Sequence, residues 1–110
     1  MNIEIREQAS FRVVSLGGEV DMHSSPRVRQ QLLASLEKKQ PVLVELAAVT
    51  YMDSSGVASL VEGFQMAKKQ GSEFALAAVA QPVLNVLKLA RLDKVFPIFA
   101  SVEERLARGD

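Results

Sequence analysis

Cysteine is missing from this 110-residue chain, which excludes a disulfide framework, a thiolate zinc site and a cysteine nucleophile. Histidine occurs once, as His23, so no histidine cluster can hold a metal. His23 is a candidate lone general base, but no nucleophile or orienting group accompanies it. It reads as an exposed loop residue. The only glycine pair, Gly17-Gly18, fits neither G-x-G-x-x-G nor the phosphate-cradling G-x-x-x-x-G-K-[ST] pattern, and reads as a β-bulge or turn. Surplus charge is lacking too: 13 basic residues balance 13 acidic ones. Nucleic-acid binders usually carry a basic excess to neutralise phosphates, so direct nucleic-acid binding is not expected. No stretch approaches the roughly 18 consecutive apolar residues of a membrane span. Met1-Asn2-Ile3-Glu4-Ile5-Arg6-Glu7 alternates polar with apolar and lacks the apolar run of a signal peptide. A cytoplasmic location is expected, without membrane insertion and without a cofactor.

What remains is an ordinary globular composition, 48% hydrophobic and 24% charged. The length fits one domain over residues 1–110, able to bury about two-thirds of the surface its unfolded chain exposes.

Two periodicities alternate along the chain. Residues 2–7 and 11–16 read as strands joined by the short link Gln8-Ala9-Ser10, with Glu19-Val20-Asp21 resuming after the glycine pair. Ser24-Ser25-Pro26 opens a helix, with a serine oxygen as the expected N-cap and proline in the first turn. Val28, Leu32, Leu33 and Leu36 follow at helical spacing, and Lys38-Lys39 suit its C-terminal end. Val42-Leu43-Val44-Glu45-Leu46 reads as a central strand. After a loop, a second helix begins at Ser54 or Ser55, buries Val57, Leu60, Val61, Phe64 and Ala67, and closes at Lys68, Lys69 and Gly71. Phe74 to Val79 reads as a buried strand. Pro82 begins a third helix with Val83, Val86, Leu87 and Ala90 inward. Leu84 and Leu89 lie off that stripe and are read as part of a broad core face, a partner or dimer contact being the alternative. Val95 to Phe99 reads as a last strand, held to an edge by Pro97. Ser101-Val102-Glu103-Glu104 reads as a capping box for a final helix. The alternation implies an α/β fold with a mixed sheet and parallel crossovers.

Val49-Thr50-Tyr51-Met52-Asp53-Ser54-Ser55-Gly56-Val57 is the stretch richest in chemistry. It joins a strand to a helix N-terminus, the end of an α/β sheet where functional sites concentrate. Asp53, Ser54 and Ser55 set three side-chain oxygens beside the first N–H groups of that helix. One of them suffices as a cap. A serine hydroxyl there is also a substrate for a kinase, and a phosphate adds about −1.5 to −2 charges. Helix-end N–H groups are expected to hold that phosphate against repulsion from Asp53, so modification switches a surface rather than the fold. Gly56, lacking a side chain, is read as keeping the backbone open to a docking partner.

Val49 to Val57 resembles the signature loop of STAS domains, specifically the bacterial anti-sigma factor antagonists. Gly18-Glu19-Val20-Asp21, followed by Pro26-Arg27-Val28, is similar to a second segment of that family. Leu89-Ala90-Arg91-Leu92-Asp93-Lys94-Val95-Phe96 is similar to a third. The resemblance implies a STAS-like mixed sheet of four to five strands with about four helices packed mainly on one face. It implies a binding module, not an enzyme. The unmodified protein would bind a serine kinase that doubles as an anti-sigma factor. Phosphorylation at Ser54 would end that interaction, and a PP2C-type phosphatase would reverse it. Asp21, Asp53, Ser55 and Gly56 would contribute to partner binding. Family members also serve as unphosphorylated accessory subunits of lipid-transport ABC ATPases or as other signalling scaffolds; the apolar Tyr51 and Met52 beside the loop suit that alternative. The oligomeric state is left open.

Overall fold

The computed structural model describes residues 1–108. Nine elements follow one another: strands β1 (Asn2–Gln8) and β2 (Phe11–Val20), helix α1 (Ser25–Leu36), strand β3 (Val42–Met52), helix α2 (Ser54–Gln70), strand β4 (Phe74–Ala77), helix α3 (Gln81–Leu89), strand β5 (Ile98–Phe99) and helix α4 (Val102–Ala107). The strands lie side by side in the order β1-β2-β3-β4-β5. The first pair is antiparallel and the other three pairs are parallel. Each parallel step requires a crossover, which α1, α2 and α3 supply.

Alternation within the strands decides which side the helices cover. Val14, Leu16 and Val20 of β2 join Val42, Val44 and Leu46 of β3 in one buried cluster with Val28, Leu32, Leu36, Leu60, Val83 and Leu87. The three longer helices therefore share one face of the sheet. Each such fully buried aliphatic side chain contributes about 1.5–3 kcal/mol relative to exposure. The opposite face carries a smaller cluster of Phe11, Val13, Leu43, Ala75 and Ala77, capped by Val102 of α4. Arg105 holds α4 there: its Nε and Nη2 each donate to a Glu73 carboxylate oxygen at 2.6 Å, and its guanidinium lies 4.7 Å from the Phe11 ring centre.

The expected mixed sheet and its four helices are present, with local differences. β2 runs on through Gly17 and Gly18 to Val20 as one strand, with the expected bulge at the pair, where its register with β3 shifts on either side. Gly18 takes φ +82°, a backbone state that an L side chain resists. Ser24 does not cap α1 with its side chain; its Oγ instead accepts from the Asp21 N–H at 2.9 Å. The helix stops at Leu36, before the lysines assigned to its end. β3 is longer than expected, because Val49–Met52 continue the strand instead of forming a loop. β4 ends at Ala77, where Ala78 turns to φ +52°. Only Ile98 and Phe99 of the last expected strand pair with β4, at the sheet edge. Ala90 is exposed, and Leu89 is 86% exposed, so neither belongs to the core. Among the described residues no helix is long and apolar enough to cross a membrane.

Candidate functional site

The sheet topology brings together two segments that are far apart in sequence. β2 and β3 are parallel neighbours paired through Val20 and Met52, so Asp21 and Asp53 follow directly at the same end of adjacent strands. A hydrogen bond from the Asp53 N–H to the Val20 carbonyl, 3.1 Å long, joins the two exits.

Asp53 is the N-cap of α2. Its backbone is extended, and Oδ1 accepts from the N–H groups of Ser55 at 2.9 Å and Gly56 at 3.3 Å. The Ser55 hydroxyl donates to the same oxygen at 2.5 Å. That hydroxyl bond, with further donation from the Gly56, Ser55 and Met22 N–H groups, holds the Asp53 carboxyl below its usual range despite some desolvation. Asp21 forms a parallel arrangement. Its Oδ1 accepts from the N–H groups of His23 at 3.0 Å and Ser24 at 3.2 Å. Partial desolvation pushes the Asp21 carboxyl up, but donation from Ser24 and His23, with the His23 charge nearby, outweighs it and the net shift is downward. Both loops thus carry a fixed carboxylate at neutral pH.

Ser54 is the first residue of α2, is exposed, and its hydroxyl makes no hydrogen bond within the described residues. Ser55 is half-buried and committed to Asp53. The two serines, equivalent in sequence, are therefore unlike in structure: only the Ser54 hydroxyl is at the surface and uncommitted. The Ser55 and Gly56 N–H groups expected to receive a phosphate already serve Asp53 Oδ1. A negative group on Ser54 would keep the favourable helix-end field but would not find those two donors free.

Gly56 overturns its sequence reading. It is buried, and a Cβ built on it would lie 2.7 Å from Met52 Cγ and 2.9 Å from Val20 Cγ1. Its missing side chain lets α2 begin against the strand ends rather than opening a surface to a partner. Met52 is 2% exposed and Tyr51 49%, so only Tyr51 of that apolar pair is offered to a docking protein.

The sequence did not single out Met22 or Ser59. Met22, next to Asp21 and donating its N–H to Asp53, is 72% exposed, and an isolated methionine carries no signal of that. Ser59 is buried, and its hydroxyl donates to the Ser25 and Ser55 carbonyls, both at 3.2 Å. It thereby ties the starts of α1 and α2 together. A hydroxyl one turn after Ser55 on a helix was the available clue. His23 faces an open cavity of about 370 Å³ with Glu19, Asp21 and Arg27. A shallow groove between α1 and α2, lined by Ser25, Arg29, Ser55 and Ser59 among others, leads away from the loop. No group of three or more His, Asp or Glu residues among those described is placed to hold a metal ion.

A family model described as STAS domain matches residues 2–105. The anti-sigma F factor antagonist of Paenibacillus polymyxa is 30% identical over 101 residues, covering 90% of this chain and 86% of that protein. The anti-sigma-B factor antagonist of Bacillus subtilis is 28% identical over 103 residues, covering 94% of each. The crystal structure of an anti-sigma factor antagonist from Mycobacterium paratuberculosis superposes with a TM-score of 0.87 at 25% identity, over 97% of this chain and 92% of that one.

Proposed function

This chain belongs to the STAS domain family, and from that premise we propose that it is a phosphorylation-controlled protein-binding module of the anti-sigma factor antagonist type. In its unmodified state it binds a serine kinase that doubles as an anti-sigma factor. Transfer of the ATP γ-phosphoryl group to the Ser54 oxygen, with loss of the hydroxyl proton, releases that partner. A PP2C-type phosphatase hydrolyses the ester and restores the hydroxyl.

The single observation that carries this reading is the difference between Ser54 and its neighbours. Ser54 presents an exposed hydroxyl that the fold does not use, beside a helix cap that Asp53 completes alone. Modification there leaves the cap bonds intact while adding about −1.5 to −2 charges to a surface already bearing two carboxylates. A partner docked over Asp21, Asp53 and Tyr51 would have to desolvate that charge. A loss of about 1.4 kcal/mol of binding energy is enough for a tenfold change in affinity.

The test is to incubate the purified protein with a serine kinase of the anti-sigma factor type from the same genome and ATP, and to map added phosphate by mass spectrometry. Phosphate on Ser54, absent from Ser54→Ala, is the expected result. An active kinase that leaves Ser54 unmodified would overturn the switch. Ser54→Asp should weaken kinase binding at least about tenfold with little change in melting temperature.

A further inference from the structure

The free edge of β1 carries a pattern that the proposed switch does not use. Which of its backbone groups face outward follows from the hairpin. The Arg12 N–H donates to the Pro41 carbonyl on the β3 side at 2.9 Å, so its neighbour Phe11 points toward β1. Phe11 is paired with Gln8, which makes Gln8, Arg6, Glu4 and Asn2 the residues bonded to β2. The N–H and C=O groups of Ile3, Ile5 and Glu7 consequently point away from the sheet. β1 is the terminal strand in the sheet order, and these groups have no strand partner within the described residues.

We infer that this edge pairs with the same edge of a second copy, antiparallel and centred on Ile5, to give one sheet continuous across a symmetric dimer. The charges select both the occupant and the register. In that arrangement Ile5 lies opposite Ile5, and Glu4 of each copy lies opposite Arg6 of the other. Asn2 lies opposite Gln8, and Ile3 opposite Glu7. A slip of two residues one way sets Glu4 against Glu4; a slip the other way sets Arg6 against Arg6. Opposed like charges disfavour both alternatives, whereas opposite charges support the centred register. A slip of one residue is excluded because it would pair outward-facing residues with inward-facing ones.

The side chains are compatible with this. Arg6 donates through Nη1 to Ser15 Oγ and through Nε to Gln8 Oε1, both at 3.0 Å, and its Nη1 lies 3.6 Å from Glu45 Oε1; a guanidinium has five donors, so others are left for a Glu4 across the edge. Glu7, on the helix side, is already paired with Arg12 and Gln40, so its charge is balanced where it meets Ile3. Ile3 and Ile5 are half-buried and packed on the main core cluster, leaving apolar edge for a partner to cover. Charged residues on an edge strand ordinarily prevent pairing; here they disfavour the adjacent registers and favour the self-complementary one. The axis runs between the two β1 strands, with β2 separating β1 from the strand that leads into Asp53, so both copies keep their Ser54 surfaces open.

Sedimentation of the full chain over about 1 µM to 1 mM tests the inference. A reversible dimer is expected. Ile5→Pro removes an outward N–H without touching the β1–β2 ladder, and Glu4→Arg places arginine against Arg6; each should raise the dissociation constant at least about tenfold. Arg6→Glu should do the same, and mixing the Glu4→Arg and Arg6→Glu proteins should restore dimers of one copy of each. A chain that stays monomeric throughout the range, or a dimer unaffected by Ile5→Pro, would overturn it. Neither result bears on phosphorylation of Ser54.

Discussion

Gly56 and Met52 meet so closely that a methyl group on Gly56 would lie 2.7 Å from Met52 Cγ. The start of α2 is therefore fixed against the end of β3 by contact, and the capped loop between them has its shape because the helix can approach this far. Gly56→Ala should destabilise the protein by about 1–3 kcal/mol, the usual cost of overpacking a filled core. Urea denaturation measures it. Wild-type stability in Gly56→Ala would show that Met52 and Val20 yield without cost.

Asp53 and its neighbour Ser54 should respond unequally to truncation. Asp53→Ala removes the acceptor for the Ser55 and Gly56 N–H groups and for the Ser55 hydroxyl. A fall in Tm of roughly 4–8 °C is expected from loss of an N-cap in a chain of this size. Ser54→Ala removes a hydroxyl with no bond in the fold and should leave Tm nearly unchanged. Thermal melts of the two proteins side by side check the contrast. If Ser54→Ala fell as far as Asp53→Ala, the serine would be a structural residue.

Acid should act through the same loops. The carboxyls of Asp53 and Asp21 are both lowered in the folded state. A depressed carboxyl contributes stability that is fully present above its unfolded value, about 3.9, and is lost as pH falls through the folded value below it. Stability measured by urea unfolding should therefore decline from about pH 4 downward. In the Asp21→Asn, Asp53→Asn double variant the decline should be shallower. An unchanged acid slope would place the sensitive groups elsewhere, Glu7 being the other lowered carboxyl.

Arg105 offers a probe of the face opposite the main helices. It is largely buried between Glu73 and Phe11, and α4 has only six residues, too few for an isolated helix to persist in water. Arg105→Met keeps the aliphatic bulk but removes both bonds to Glu73. A loss of about 1.5–3 kcal/mol is expected. Amide hydrogen exchange should rise first in α4, with α2 and the Asp53 cap still protected. Exchange that rises evenly across the chain would mean α4 is not a separately held element.

Most of the architecture was legible in the sequence because burial writes itself into periodicity. The alternation in β1, the apolar run Val42 to Leu46 and the helical stripe from Val57 to Ala67 each state their element and their inward face. Element ends were less legible. Val49 to Met52 read as loop because polar Thr50 and exposed Tyr51 interrupt the apolar pattern, whereas pairing with β2 extends the strand to Met52. The lysines at 38 and 39 suited a helix end, but α1 closes at Leu36. Leu89 read as core from its chemistry alone, and its exposure depends on what covers the last turn of α3.

By itself the sequence determined the α/β alternation and the Asp53-Ser54-Ser55-Gly56 stretch at a strand-to-helix junction, since both follow from the local order of residue types. Only the tertiary structure decided that Asp21 stands beside Asp53, because that proximity comes from parallel pairing of strands separated by a whole helix. It also decided that Asp53 rather than a serine takes the cap, that of the two loop serines Ser54 and not Ser55 keeps a free hydroxyl, and that Gly56 faces inward. Those outcomes rest on which atoms the packed strands leave within bonding distance, and no local pattern of residues encodes that.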